Sequence, residues 1–117
     1  MRRIYHLSTC DTCRKILAGL HTTGVELVNL RERNVSEEDL DFMFSRLGSY
    51  EALFNKRAQK WKALPDAARP KEDSEFRLLI LEEYTFLKRP AAIVGHLVFI
   101  GNDAATVAAL KNVLESA

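Results

Sequence analysis

The opening of the chain changes character twice in quick succession, which leaves little choice but strand, helix, strand. Arg3 to Leu7 is β-favouring and stops at Ser8-Thr9. Asp11 to His21 carries Cys13, Ile16, Leu17 and Leu20 at i, i+3, i+4 and i+7, which is one helix face. Thr22-Thr23-Gly24 ends it, with Gly24 suited to a left-handed cap, and Val25 to Leu30 reads as a second strand. Two strands joined by a helix run parallel, and such crossovers are right-handed. The chain therefore starts an α/β sheet.

The middle reads as helical. Ser36 is an N-cap, Glu37-Glu38 fill the first turn, Leu40, Met43, Phe44 and Leu47 form a buried stripe, and Gly48 stops the helix. A short helix follows around Tyr50-Phe54, and another segment carries Lys56 to Leu64. Pro65 to Asp73 is polar, holds two prolines and reads as a mobile loop. Asp73 or Ser74 caps the next helix, whose apolar face is Phe76, Leu79, Ile80 and Tyr84. After Lys88-Arg89-Pro90, two apolar runs around Gly95-His96 predict a tight hairpin. Asn102 or Asp103 then caps a last helix that buries Val107, Leu110, Val113 and Leu114. The order β-α-β, helices, β-β-α predicts a thioredoxin-like α/β fold with a mixed central sheet. One domain over 1–117 is expected, with a helical insertion at about 34–88.

Composition narrows the partners. Of 117 residues, 47% are hydrophobic, enough for one core, and 28% are charged. Seventeen Lys and Arg against sixteen Asp and Glu leave a net charge of +1, which argues against coating DNA, RNA or an anionic membrane. Any anion must meet a local cluster. Two cysteines are too few for a stapled secreted scaffold. No apolar run reaches the length of a membrane span, and the N-terminus lacks the apolar stretch of a signal peptide. A cytoplasmic, reducing setting is expected.

Cys10-Asp11-Thr12-Cys13 lies between the first strand and its helix, the context in which two cysteines at this spacing read as redox chemistry. Cys10 falls at the helix N-terminus, where unpaired N–H groups and the helix dipole favour an anion, and Arg14 and Lys15 follow within a turn. A thiolate is stabilised there. Cys13 belongs to the apolar stripe and suits a resolving thiol, which closes a small disulfide after attack. Zinc is the competing use of two cysteines, with His6, His21 and His96 as completing ligands, but no His stands at finger spacing and no metal is expected. A second alternative is a coincidental pair, with Cys13 a plain core thiol. His6 reads as a hydrogen-bonded structural group near enough in sequence to affect the Cys10 thiolate, and Trp61 as the cover of a helix junction or a stacking platform.

Three motifs in order, Ser8-Thr9-Cys10-Asp11-Thr12-Cys13-Arg14-Lys15, Leu53-Phe54-Asn55-Lys56-Arg57 and Lys88-Arg89-Pro90, resemble the ArsC/Spx family over nearly the whole chain. That family includes glutaredoxin-coupled arsenate reductases, Spx-type transcription regulators and YffB-like proteins. The resemblance implies a thioredoxin-like fold with a helical insertion. It also implies that Cys10 attacks an oxyanion, that Arg57 and Arg89 hold it, and that Pro90 is the cis-proline facing the cysteine. Arg suits that role because its planar fork gives a tetrahedral oxyanion, or a glutathione carboxylate, two hydrogen bonds at once.

Two departures bear on function. The family's arsenate reductases carry a further arginine shortly after the last strand, where this chain reads Phe99-Ile100-Gly101-Asn102-Asp103. They also commonly lack a second cysteine, which here is Cys13. Both differences point toward the YffB-like and Spx-like branches. The resemblance thus implies a thiol-dependent oxidoreductase acting on an oxyanion, thiol or disulfide, with no bound cofactor and with Cys13, glutathione or glutaredoxin as the resolving reductant. The alternative it implies is an Spx-like redox-sensing regulator that binds RNA polymerase.

Overall fold

The computed structural model describes residues 1–116. In chain order its elements are β1 (Arg2–His6), α1 (Asp11–Ala18), β2 (Glu26–Asn29), α2 (Glu37–Leu47), α3 (Gln59–Ala63), α4 (Asp73–Glu82), β3 (Ala91–Val94), β4 (Leu97–Ile100) and α5 (Ala104–Glu115). Short 3-10 turns occupy Glu51–Leu53, Asp66–Ala68 and Tyr84–Phe86. Two compact units result: Met1–Arg33 together with Arg89 onward, and Asn34–Lys88.

The α/β unit is a four-stranded sheet in the order β2-β1-β3-β4. β1 and β2 are parallel, in a register that sets His6 against Asn29. β1–β3 and β3–β4 are antiparallel, so the sheet is mixed and the fold is the expected thioredoxin-like α/β class. Ile4, Ala92 and Val94 share one sheet face with Leu110 and Leu114 of α5, and Leu17, Leu20 and Phe99 pack against them. Fully burying Ile4, Leu110 or Leu114 stabilises the unit by about 1.5–3 kcal/mol each. α5 is capped by Asp103, whose carboxylate accepts the Thr106 N–H at 3.1 Å.

α1 is shorter than its sequence pattern suggests. It stops at Ala18, and the N–H groups of Gly19 and Leu20 reach back only three residues, to the carbonyls of Ile16 and Leu17. Glycine is a poor helix former, and the last turn tightens there. Gly24 does take a left-handed conformation, at φ 77°, but in the turn from Thr22 to Val25 and not at the helix end.

In the helical unit an antiparallel bridge joins Phe54 to Leu87, and side chains make many of the other links. Ser36 caps α2 by accepting the Asp39 N–H at 3.1 Å, and Gly48 ends it at φ 77°. Leu40 and Met43 are buried, but Leu47, in the last turn, is 42% exposed and does not belong to the stripe. Phe54 is an aromatic hub, with Phe86 stacked at 4.7 Å and Phe76 and Trp61 edge-on at 5.0 and 5.2 Å. Trp61 covers that junction, with the Arg69 guanidinium 4.7 Å from its ring. α4 is capped by Glu72 in a reciprocal box with Glu75. Asp73, expected as that cap, serves another element: its carboxylate accepts the Tyr50 N–H at 2.9 Å and the Glu51 N–H at 3.0 Å, closing the start of the Glu51–Leu53 turn.

Candidate active site

The site begins where β1 ends. The chain turns through Leu7-Ser8-Thr9-Cys10, closed by the Cys10 N–H donating to the Leu7 carbonyl at 3.0 Å. Cys10 is the N-cap of α1, with extended backbone, and its carbonyl accepts the Arg14 N–H at 3.1 Å as the first helical bond. A capping residue ordinarily offers an oxygen to the exposed N–H groups of the first turn. Here the capping position carries a sulfur, and its side chain makes no cap hydrogen bond.

Both thiols are reduced, and the structure makes them unequal. Partial burial pushes the Cys10 thiol up, but this is outweighed by the Cys13 N–H, the Cys13 thiol, the Arg89 charge and the Thr12 N–H. The balance holds Cys10 below the ordinary thiol value. Cys13 is 1% exposed. Burial, above all, pushes its thiol up to about 11, against the Leu7 N–H, which favours the thiolate, and with the charge on Cys10 adding to the rise. One thiol is set up to ionise and the other to keep its proton.

Sheet register explains why Arg89 acts on this pair. Tyr5, near the end of β1, lies opposite Ala91, the first residue of β3. The residues leading into β3 therefore arrive beside the residues leading out of β1. Arg89 is half-buried there and its charge favours the thiolate of both cysteines. The Arg89–Pro90 peptide bond is cis, and the buried Pro90 accepts the Gly101 N–H on its carbonyl at 3.0 Å. Cys10, Cys13, Arg89 and Pro90 thus all belong to the α/β unit. Arg57 belongs to the helical unit, exposed in the turn before α3, with its N–H on the Asn55 side-chain oxygen at 3.0 Å.

Arg14 and Lys15 do not act as their sequence positions suggest. Both are exposed, and Arg14 is paired with Asp11. The cation that favours the Cys10 thiolate comes from the far end of the chain. Burial lowers the His6 pKa against the pull of Glu32, which favours the neutral imidazole. His6, Ser8, Arg14, Leu17, Thr22 and Leu27 line an open cleft of about 380 Å³ in the same unit. Nothing in the motif spacing singles out Asn29, yet its carboxamide is hydrogen-bonded to Ser8 at the corner of the Cys10 turn. The one signal the sequence offers is a carboxamide set between Val28 and Leu30 near the end of the second predicted strand. Among the described residues there is no group of three or more His, Cys, Asp or Glu placed to hold a metal, and no helix long and apolar enough to cross a membrane.

The sequence model of the ArsC family matches residues 5–110. The chain belongs to the ArsC family. The matched range includes Cys10, Cys13, Arg57, Arg89 and Pro90 of this ArsC-family protein. An uncharacterised protein of Haemophilus influenzae is 29% identical to it over 104 residues, 86% of this chain and 90% of that one. Among solved structures it is similar to the YFFB protein, with a TM-score of 0.80 and 19% identity over 95% of this chain and 99% of the other. It is also similar to an arsenate reductase from Vibrio cholerae, with a TM-score of 0.75 and 21% identity over 93% and 96%. An arsenate reductase-related protein from Brucella melitensis gives 0.69 and 23% over 92% of each chain. At these identities the structural likeness is one of fold.

Proposed function

We propose that this ArsC-family protein is a thiol-dependent oxidoreductase in which Cys10 is the nucleophile and Cys13 the resolving thiol. The observation that supports it most is the split between the two sulfurs. Cys10 is half-buried at the N-terminus of α1 and favoured as thiolate, whereas Cys13 is buried and pushed up to about 11. The thiolate, not the thiol, is the attacking form. With a disulfide substrate, Cys10 forms a mixed disulfide and expels one substrate thiolate. Cys10 then carries no charge, so one of the causes that raise Cys13 is gone and its proton leaves more readily. The Cys13 thiolate attacks the Cys10 sulfur, closes the Cys10–Cys13 bond and releases the second substrate thiolate. Two electrons have moved from the dithiol to the substrate. Glutathione, directly or through a glutaredoxin in a cytoplasmic setting, restores the dithiol.

A tetrahedral oxyanion is the alternative substrate class for the same nucleophile, with Arg89 as its guanidinium partner and Pro90 as the residue that leads from Arg89 into β3. For Arg57 the family likeness alone supports an anion-binding role. Mass spectrometry after mild peroxide, with and without glutathione, tests the reading. The expected product is a Cys10–Cys13 disulfide within one chain, lighter by the two hydrogens lost. In Cys13→Ser a glutathione adduct should accumulate on Cys10. A disulfide between chains as the main product, or glutathione on Cys13 in the wild type, would contradict the assignment. Turnover of a disulfide or oxyanion separates the enzyme from a redox-sensing regulator that binds RNA polymerase, in which the pair would switch without turnover.

A further inference from the structure

The Cys10 side chain makes no cap hydrogen bond at the start of α1, and the side chain that bonds it is the Cys13 thiol. The turn that delivers Cys10 sets where its sulfur stands at the start of the helix. That turn has one internal hydrogen bond, between its two ends. Its outer corner, Ser8, has a backbone N–H that the turn itself does not use. Asn29 supplies the partner: its side-chain oxygen accepts the Ser8 N–H at 3.2 Å, and its side-chain nitrogen donates to the Ser8 Oγ at 2.9 Å. The same oxygen accepts the Arg31 N–H at 3.3 Å. Two backbone donors on one side and a hydroxyl acceptor on the other fix the orientation of the carboxamide.

The anchor behind this clamp is rigid. Asn29 is the last residue of β2, in register with His6, two residues before Ser8. The Leu30 N–H donates to the His6 carbonyl at 2.8 Å, and the Glu32 and Arg33 N–H groups donate to the Asn29 carbonyl at 2.9 and 3.0 Å. Parallel pairing of β1 and β2 therefore carries a side chain from one strand end onto the loop leaving the other.

We propose that Asn29 is a positioning residue for the reaction at Cys10, its carboxamide clamping Ser8 so that the turn sets the sulfur against the first N–H groups of α1. The proposal rests on the reading of Cys10 as the nucleophile. Loosening the turn moves the sulfur off those donors and weakens their hold on the thiolate, while Cys13, buried on the helix stripe, stays covered. A residue that only stabilised the fold would raise Cys13 exposure and leave the native Cys10 titration unchanged.

The test is Cys10 alkylation by iodoacetamide across pH, read by peptide mapping, in wild type, Asn29→Leu and Ser8→Ala. Leu keeps the size of Asn without its hydrogen bonds, and Ser8→Ala removes one bond of the pair. Near pH 6 the Asn29→Leu rate should fall by about threefold or more, because less thiolate is present. Near pH 10 it should equal or exceed the wild type, because a thiolate of higher pKa is the stronger nucleophile. Ser8→Ala should move the same way by less, with Cys13 unlabelled in both. If Asn29→Leu fails to fold, Ser8→Ala alone decides. Variant profiles that coincide with the wild type overturn the positioning role and leave the nucleophile in place. A wild-type Cys10 that titrates as an ordinary thiol removes the nucleophile itself.

Discussion

The two units of the chain are held together by different means. In the α/β unit the backbone does most of the organising: strand register puts His6 opposite Asn29 and Tyr5 opposite Ala91, and from those two pairings follow the clamp on Ser8 and the approach of Arg89. In the helical unit one antiparallel bridge, Phe54 to Leu87, joins the segments around Leu53 and Phe86, and side chains bridge the helices. Arg77 reaches Asp41 at 2.8 Å and Glu37 at 3.1 Å, Asn34 donates to the carbonyls of Ile80 and Leu81, Asp73 closes the Tyr50 turn, and Phe54 gathers three aromatic rings. A unit placed by side chains is sensitive to single truncations.

The largest effect should come from the aromatic hub. Phe54→Ala is expected to cost about 3–5 kcal/mol, the range for an aromatic deleted from a packed core. Trp61, the chain's one tryptophan, packs on Phe54 and makes urea unfolding of this unit visible by fluorescence. A cost below about 1 kcal/mol would mean that the hub is replaceable and the contrast between the units is false. Asp73→Ala comes next. A carboxylate accepting backbone N–H groups is worth about 1.5–3 kcal/mol. Burial pushes the Asp73 carboxyl up, but the N–H groups of Tyr50 and Glu51 and the Ser49 hydroxyl outweigh it, so its folded pKa lies below the ordinary value. Its contribution is therefore fully present above the unfolded pKa of about 3.9 and is lost as pH falls through the lowered folded value. The gap between wild type and Asp73→Ala should be wide at neutral pH and close on acidification. A gap that is constant with pH would show that the carboxylate charge plays no part.

The same contrast decides what was legible in the sequence. The α/β unit was readable because its signals are local and periodic: one helix stripe, two apolar runs around Gly95-His96, and a cysteine pair at a strand–helix junction. Arg89 was reachable only through the family resemblance, since no local pattern shows that the start of β3 meets the end of β1. Arg14 and Lys15 misled because nearness in sequence says nothing of direction, and Arg14 turns to Asp11. In the helical unit Ser36 and Gly48 were legible as caps because their bonds close within one turn. Asp73 was not, because a carboxylate that could cap its own helix instead bonds a turn more than twenty residues earlier in the chain. Leu47 fits the stripe by spacing but sits in the last turn, where α2 has nothing left to bury it.

A smaller effect tests the register argument. Arg89→Ala should raise the Cys10 pKa, because a cation favouring the thiolate is removed. The fall in Cys10 alkylation near neutral pH should be modest, since the N–H groups of Cys13 and Thr12 remain. Arg89→Lys should restore most of the titration but less of any protection by sulfate or arsenate, because an ammonium lacks the planar fork. If Arg89→Ala leaves the profile unmoved, the meeting of the β1 and β3 ends has no chemical consequence.

The most direct test of the account is site-resolved alkylation of the wild-type protein across pH, with Cys10 and Cys13 followed separately. Cys10 is expected to label first, with a midpoint below the ordinary thiol value, and Cys13 to stay protected until the pH nears about 11. Labelling of Cys13 ahead of Cys10, or a common midpoint at the ordinary thiol value, would contradict the division of labour between the two sulfurs on which the proposed chemistry depends.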